Sequence, residues 1–199
     1  MEQKSIAPLT SLIGSRICHD LISPIGAITN GLELLEMAGT GHGPELSLIG
    51  ESVQNAAARI RFFRVAYGIA GTEALARGEV AGILHGIDNG GRVRLHWDVA
   101  GDTPRKEVRL AFLALQCLET ALAYGGTIRL SKTQGHWLVI GTAPRLKLDP
   151  ELWADLSRPI KSVEITPALV QFALLPDVAA EAGRSLNVTL GRDEIAISF

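Results

Sequence analysis

The first 70 residues repeat apolar and polar positions with the period of an α-helix. Apolar side chains recur at steps of three and four from Pro8 to about Gly39, which predicts one long amphipathic helix. The members of this stripe are Leu9, Ile13, Ile17, Leu21, Ile25, Ile28, Leu32 and Leu35. A glycine-rich segment follows and ends at Pro44, a residue suited to the first turn of a helix. The pattern therefore predicts a short turn and a second helix.

The second helix carries a heptad pattern. Its apolar positions are Leu46, Ile49, Val53, Ala56, Ile60, Phe63, Tyr67 and Ala70. Two helices alone cannot enclose two such wide apolar stripes, whereas two hairpins related by a two-fold axis form a four-helix bundle with a closed core. We therefore expect residues 1–70 to form a helical hairpin that assembles as a homodimer.

Beyond residue 71 the heptad fades, glycines accumulate, and near Val93 the pattern changes to the alternation of β-strands. The predicted strands cover 93–99, 127–132, 137–140 and the segments LNVTL and EIAISF. The predicted helices cover 107–124, 150–156 and 167–182. This order indicates an α/β sandwich over 71–199, with helices against a mixed sheet, and an α+β fold for the whole chain.

Charge and composition narrow the class of function. The 19 Lys and Arg nearly balance the 21 Asp and Glu, and no basic block exists, so nucleic acid is not an expected partner. The chain has neither a signal-peptide core nor an apolar run of about 18 residues, so we expect a cytoplasmic protein without membrane association. Cys18 and Cys117 lack metal-site spacing, and we expect both to be small buried residues and no metal to be bound.

The stretch from Ser15 to Met37 of the first helix contains residues that oppose helix formation. Pro24 in mid-helix costs about 3 kcal/mol, and Gly26 and Gly31 cost about 1 kcal/mol each relative to alanine. A helix that carries these costs is unlike an ordinary scaffold helix, which favours a specific role for this stretch.

His19 is the candidate reactive residue of this helix. At about 100° per residue it lies near 200° from Ile17, on the side opposite the apolar stripe. Its neighbours on that side are Ser15, Ser23 and Gly26, with Arg16 and Ile22 on the flanks. Most of these side chains are small, so the imidazole should be approachable, although most exposed histidines are ordinary solvated side chains.

A solvent-exposed imidazole has a pKa near ~6.5, so its neutral form can act as a nucleophile at neutral pH. Phosphoryl transfer asks for little more than in-line positioning and a cation that neutralises the moving charge, and a docked partner can supply both. Phosphoryl transfer is therefore chemistry that this helix could support.

The segment CHDLISPIGAITNGLELL resembles the H-box of histidine-kinase dimerisation domains, in which a His-acid pair is followed by a proline five residues after the histidine. Together with ARIRFFRVAYG on the second helix, it makes the whole chain similar to the ChpT-like histidine phosphotransferases of alphaproteobacterial phosphorelays. The resemblance implies that His19 is the phosphoacceptor and that Asp20 tunes the imidazole or the transfer step. Because Asp20 lies about 100° round the helix from His19, a solvated carboxylate without a role is the alternative.

The same resemblance relates residues 71–199 to the histidine-kinase ATPase domain, but the nucleotide motifs are missing. Gln116 and Thr120 stand where the helix would carry two asparagines for the Mg-phosphate group. GTAPRLKLD lacks the adenine-binding Asp-x-Gly-x-Gly turn, and TPALVQFALLPD lacks the glycine-rich phosphate loop. We therefore expect no ATP and no other cofactor bound by this chain.

The residues of the first helix and the family resemblance together imply a histidine phosphotransferase of a two-component phosphorelay. His19 would accept a phosphoryl group from the receiver domain of a hybrid histidine kinase and pass it to response-regulator receivers, which bring their own Mg²⁺. The residues expected to contact these partners are Ser15, Arg16, Ile22, Ser23, Gly26, Arg59 and Phe62. The alternative is a non-catalytic, pseudokinase-like module that binds and sequesters response regulators.

Overall fold

A computed structural model describes residues 8–38, 44–69, 71–88, 91–157 and 163–199, which begin with two long helices. Helix α1 spans Leu9–Ala38 and continues through Pro24, and α2 spans Pro44–Ala66. The two helices pack on each other, so the predicted hairpin is confirmed. The predicted glycine turn at positions 39–43 and Ala70 of the predicted heptad pattern lie outside the described residues.

Two of the three residues that oppose helix formation lie where α1 meets α2. Pro24 and Gly31 are both buried. A Cβ atom at Gly31 would lie 2.6 Å from Cγ1 of Ile49 on α2, so the missing side chain lets the two helices approach closely. Close packing thus offsets the helix propensity lost at these positions. It covers only one flank of the apolar stripe, because Ile25, Val53 and Ile60 remain about half exposed.

The rest of the chain, residues 71–199, is called the α/β region below. Its helices are α3 (Arg77–Asp88), α4 (Arg105–Ala121), α5 (Pro150–Ala154) and α6 (Val170–Glu181). Short 3₁₀ turns cover Asp155–Ser157 and Pro167–Leu169. The main strands are β2 (Val93–Asp98), β4 (Gly126–Thr133), β5 (His136–Thr142), β6 (Asn187–Leu190) and β7 (Glu194–Ser198). The two-residue strands β1 (Ala74–Leu75) and β3 (Thr103–Pro104) pair with each other.

The five main strands form one mixed sheet in the order β2-β4-β5-β7-β6. Strands β2 and β4 are parallel and are joined by a crossover that contains α4, whereas the other neighbours are antiparallel. The predicted α+β fold, with a hairpin followed by helices on a mixed sheet, is therefore confirmed.

Helix α3 is an element that the sequence pattern did not predict. Its buried residues Val80, Ile83 and Leu84 follow helical spacing, but glycine is a poor helix former, and the glycines around them obscured this pattern. One of these glycines has a packing role, since a Cβ atom at Gly86 would lie 2.6 Å from the Cβ of Ala58 on α2. The glycine-rich segment is thus a helix that fits closely against the hairpin.

The core is centred on α4, which is buried continuously from Leu110 to Leu118. The three tryptophans, Trp97, Trp137 and Trp153, are buried. Cys117 is buried within α4, but the matching expectation for Cys18 is wrong, because that side chain is exposed on α1 next to His19. No helix in the described ranges is both long enough and apolar enough to cross a membrane.

The hairpin and the α/β region share this core. Phe62 of α2 is 3% exposed, and its ring stacks on Phe112 of α4 with 4.4 Å between ring centroids. Phe63, Val65 and Ala66 at the end of α2 join the same cluster. The division of the chain into domains at residues 1–70 and 71–199 stays a prediction.

Candidate functional site

His19 projects from α1 into solvent, and its side chain is 84% exposed. Its Nδ1 atom lies 3.1 Å from Oδ1 of Asp20, whose side chain is only 11% exposed. This geometry assigns the proton to Nδ1, which donates to the carboxylate, and leaves the Nε2 lone pair facing outward. Asp20 is therefore not the solvated carboxylate that the sequence allowed as an alternative.

Asp20 is held by a second contact one helical turn earlier. Nε of Arg16 donates to Oδ2 of Asp20 at 2.8 Å, so each carboxylate oxygen has a partner. Nη1 of the same guanidinium donates to the carbonyl oxygen of Ala168 in the α/β region at 2.8 Å. The Arg16 side chain is only 18% exposed. The sequence predicted that Arg16 contacts a partner and did not indicate these contacts within the chain.

The predicted small-residue surface around His19 is accessible. Ser15 and Ser23 are exposed, and the Ile22 side chain beside them is 68% exposed. A Cβ atom added at Gly26 would meet nothing within 4 Å, so the space above this position is open. The exposure expected for this side of α1 is confirmed, while contact with a partner here stays a prediction.

The two docking residues predicted on α2 differ from each other. Arg59 is partly buried, and its Nε donates to Oδ1 of Asn55 at 2.9 Å. Phe62 is enclosed by the core through its stack on Phe112, so the prediction that it contacts a partner is wrong. The sequence did not indicate that α4 covers this end of α2.

An open groove begins one turn along α1 from His19 and has a volume of about 230 Å³. Its walls are formed by Ser23, Pro24, Ala27, Leu48, Glu51, Ser52, Asn55 and Arg59. The sequence did not indicate that Leu48, Ser52 and Asn55 contribute to this groove. Positions 52, 55 and 59 are polar and follow helical spacing, which was the available signal for a second, non-core side of α2.

A small cavity of about 40 Å³ lies behind Asp20, between the hairpin and α4. Its charged lining residues are Arg16, Asp20, Arg59 and Glu119. Burial raises the pKa of Glu119 to about 7, while the cations of Arg16 and Arg59 act in the opposite direction. A cluster of charged side chains therefore lies between the His19 site and the core of the α/β region.

The positions aligned with the Mg-phosphate asparagines are occupied by contacts within the chain. Nε2 of Gln171, a fully buried residue of α6, donates to Oγ1 of Thr120 and to the carbonyl oxygen of Ala168, both at 3.1 Å. Gln116 is also buried, and its main-chain carbonyl oxygen accepts a hydrogen bond from Oγ1 of Thr120. A hydrogen bond between side chains of α4 and α6 thus lies on the part of α4 where an active kinase would carry its nucleotide-binding asparagines.

Comparison with known proteins identifies the family. Residues 77–194, more than half of the chain, match the family model for the histidine phosphotransferase C-terminal domain. The chain belongs to the histidine phosphotransferase family. The matched segment begins at α3 and ends at the start of β7, so it covers most of the α/β region.

Individual relatives of this phosphotransferase extend the similarity to the hairpin. The chain is 30% identical to the protein phosphotransferase ChpT of Brucella abortus (strain 2308), over 98% of this chain and 96% of that protein. The solved structure of a bacterial phosphotransferase superimposes with a TM-score of 0.78 at 28% identity and covers 100% of this chain and 98% of its own. The Acinetobacter baumannii histidine kinase AdeS is much less similar, with a TM-score of 0.44 and 11% identity over 90% of this chain and 95% of its own.

These findings confirm the ChpT-like resemblance and the predicted function. The protein is a histidine phosphotransferase of a phosphorelay. The alternative of a non-catalytic sequestering module is not favoured, because the full-length relative is itself a phosphotransferase.

Proposed function

We propose that His19 carries the phosphoryl group and exchanges it with aspartates of receiver domains. The observation that supports this role is the pairing of an exposed imidazole with a nearly buried carboxylate on Nδ1. This pairing leaves Nε2 as the nucleophile and keeps the reacting side of the ring accessible. Receiver domains of a hybrid histidine kinase and of response regulators are the proposed donors and acceptors.

In the proposed transfer, the Nε2 lone pair attacks the phosphorus of an aspartyl phosphate in line with the departing carboxylate oxygen. The P–O bond to the receiver breaks as the P–N bond forms, and the receiver regains its carboxylate. The proton on Nδ1 stays in place, so the ring becomes cationic, and the Asp20 carboxylate at 3.1 Å balances that charge. The reverse step delivers the group to a second receiver.

Docking is proposed on the side of α1 that carries Ser15, Ile22, Ser23 and Gly26. The groove between α1 and α2 begins at Ser23, so an element of the receiver that enters it would lie one turn from the imidazole. Arg59 lines the α2 wall of this groove and is retained as a docking residue. The burial of Ile22 under a partner would remove its exposed apolar surface from water.

We propose that the protein works without binding ATP or a metal of its own. The hydrogen bonds of Gln171 with Thr120 and Ala168 support the first point, because a nucleotide on α4 would have to displace them. No group of three His, Cys, Asp or Glu side chains suited to a metal exists within the residues described by the structure. The receiver is therefore the proposed source of Mg²⁺, which would neutralise the phosphoryl charge during transfer.

A homodimer in the cytoplasm is the proposed form of the protein. The exposed apolar positions Val53 and Ile60 on α2 are seven residues apart and so lie on one side of the helix. Ile60 also lines an apolar recess with Ile13 and Ile17 of α1. A second hairpin would cover this surface and complete a four-helix bundle.

Phosphoryl transfer from a receiver with a radiolabelled aspartyl phosphate tests the role of His19. The full chain and His19→Ala are compared, with His85→Ala as control because His85 is an exposed histidine of α3. Wild type and His85→Ala should acquire an acid-labile, alkali-stable label that chases onto a second receiver, and His19→Ala should remain unlabelled. Label on His19→Ala would show that another residue is the acceptor, and unlabelled wild type bound to receivers would favour sequestration.

A further inference from the structure

One chain of hydrogen bonds joins the His19 site to the α/β region. Oδ1 of Asp20 contacts His19 Nδ1 at 3.1 Å, and Oδ2 accepts from Nε of Arg16 at 2.8 Å. Nη1 of Arg16 then donates to the carbonyl oxygen of Ala168 at 2.8 Å. Ala168 is in the 3₁₀ turn Pro167–Leu169 that precedes α6, far from His19 in sequence.

We propose that Arg16 is a positioning residue for phosphoryl transfer, which links the Asp20–His19 pair to the 3₁₀ turn before α6. The α/β region then holds the imidazole orientation through Arg16. This inference rests on the proposed function of His19. It assigns Arg16 a role different from contact with a partner, which the sequence predicted for it.

The acceptor at the far end of this link is itself held in place. The Ala168 carbonyl oxygen also accepts from Nε2 of Gln171 at 3.1 Å. Gln171 is fully buried, and the same nitrogen reaches Oγ1 of Thr120 on α4 at 3.1 Å. Because α4 forms the centre of the core, the carbonyl that receives Arg16 is fixed relative to the most deeply buried helix of the α/β region.

Arginine suits this position better than lysine would. Its planar guanidinium presents Nε and Nη1 in different directions and so reaches a carboxylate and a carbonyl at once. A lysine ammonium is a single point donor on a flexible stem and would keep at most one of these contacts in good geometry. The conservative substitution therefore separates the charge of Arg16 from its bridging geometry.

The charge of Arg16 also matters to Asp20. The Asp20 carboxylate is nearly buried, and Glu119 lines the same cavity behind it. Loss of the guanidinium would remove both the charge that compensates Asp20 in a partly desolvated site and the donor that fixes its Oδ2, so the carboxylate could turn and Oδ1 would no longer be held towards Nδ1 of His19. The imidazole would then populate both tautomers and more than one ring orientation.

The test compares wild type, Arg16→Met and Arg16→Lys in the full chain, with Arg192→Met as a control that removes an exposed arginine between β6 and β7. Receiver affinity and the single-turnover transfer rate at saturating receiver are measured separately. Nitrogen NMR of the His19 ring reports its tautomer without any transfer reaction. Circular dichroism identifies variants that fail to fold.

Arg16→Met should lower the saturated transfer rate about 10- to 100-fold, with receiver affinity changed less than about twofold. The His19 ring should change from the single Nδ1–H tautomer to a mixture, and Arg16→Lys should fall between wild type and Arg16→Met. Arg192→Met should match wild type. Weakened receiver binding with an unchanged saturated rate and tautomer would make Arg16 a docking residue and overturn the inference.

A double-mutant cycle combines an Arg16 substitution with Asp20→Asn. If Arg16→Met folds poorly, Arg16→Lys replaces it in the cycle, and the inference stays testable. If Arg16 acts through Asp20, adding the Arg16 substitution to Asp20→Asn should slow transfer by less than about twofold further. Independent, multiplying effects would contradict the proposed link. Label on His19 in all these variants at the wild-type rate would reject the positioning role and leave the role of His19 intact.

Discussion

Helices α1 and α4 are both long, yet the protein uses them in opposite ways. Helix α4 is buried without interruption from Leu110 to Leu118, and its polar residue Thr120 hydrogen-bonds within the chain. Helix α1 leaves Ile22 and Ile25 mostly exposed and presents His19 to solvent. Helix α4 organises the core, while α1 carries the exposed His19 and large exposed apolar side chains.

This difference indicates how stability and reactivity are divided. The α/β region lacks the nucleotide motifs of the histidine-kinase ATPase domain, but it supplies the core against which the hairpin packs. The hairpin contacts the α/β region where Phe62 meets Phe112, where Ala58 meets Gly86 of α3 and where Arg16 meets Ala168. The substitutions below test this division, and they are ordered from the largest expected effect to the smallest.

Phe112→Ala should have the largest effect on folding. The ring is fully buried and stacked on Phe62, so its loss should reduce the free energy of unfolding by about 3–5 kcal/mol. Ile22→Ala on α1 should cost about 0.5 kcal/mol or less, because the side chain is largely solvated. Urea unfolding of both variants measures the difference, and equal costs would contradict the proposed division.

Ile60→Glu should break the proposed dimer. A carboxylate at this apolar position would be buried without a partner in a four-helix bundle, which should weaken association by about 100-fold or more. Gln54→Glu adds the same charge at an exposed position of α2 and should leave the dimer intact. Sedimentation velocity distinguishes the species, and a wild-type chain that is monomeric at micromolar concentration would reject the dimer.

Glu119→Gln should change how stability depends on pH. Burial raises the pKa of Glu119 from 4.5 to about 7, so between these values the folded chain keeps a proton that the unfolded chain releases. The contribution of Glu119 to stability is therefore complete below the lower value and is lost as pH rises to about 7. The Arg16 and Arg59 cations reduce this effect without reversing it.

Glutamine cannot ionise, so Glu119→Gln should be more stable than wild type at pH 8 by roughly 1–2 kcal/mol, a figure reduced for its partial exposure to solvent. The two proteins should differ much less near pH 4.5, the lower of the two pKa values. Urea unfolding at both pH values gives the comparison. An identical pH dependence in wild type and variant would show that Glu119 ionises normally in the folded chain.

Ile22→Ala should have the smallest effect, and only on partner binding. Loss of this exposed side chain should weaken receiver affinity about 5- to 10-fold without lowering the saturated transfer rate. Leu34→Ala removes another half-exposed apolar side chain from α1, about 120° round the helix, and serves as control. Calorimetric titration with a receiver measures both, and unchanged affinity for Ile22→Ala would move the docking surface elsewhere.

Much of the fold was predictable because period and turn signals are local. The two helices of the hairpin, the main strands and α4 followed from spacing alone. Helix α3 was missed because its glycines are poor helix formers, whereas Gly86 serves a close contact with Ala58 that no local pattern reveals. The exposure of His19 was predictable for the same reason, since a helical wheel needs only the positions on one helix.

The amino-acid sequence by itself determined the hairpin, the positions of the main strands along the chain and a histidine on the polar side of α1. Only the tertiary structure decided that Asp20 is nearly buried, that Phe62 belongs to the core and that Arg16 reaches Ala168. The physical reason is range. Helical spacing relates residues within a few turns, but the partners of these side chains come from segments that are brought together only when the hairpin packs on the α/β region.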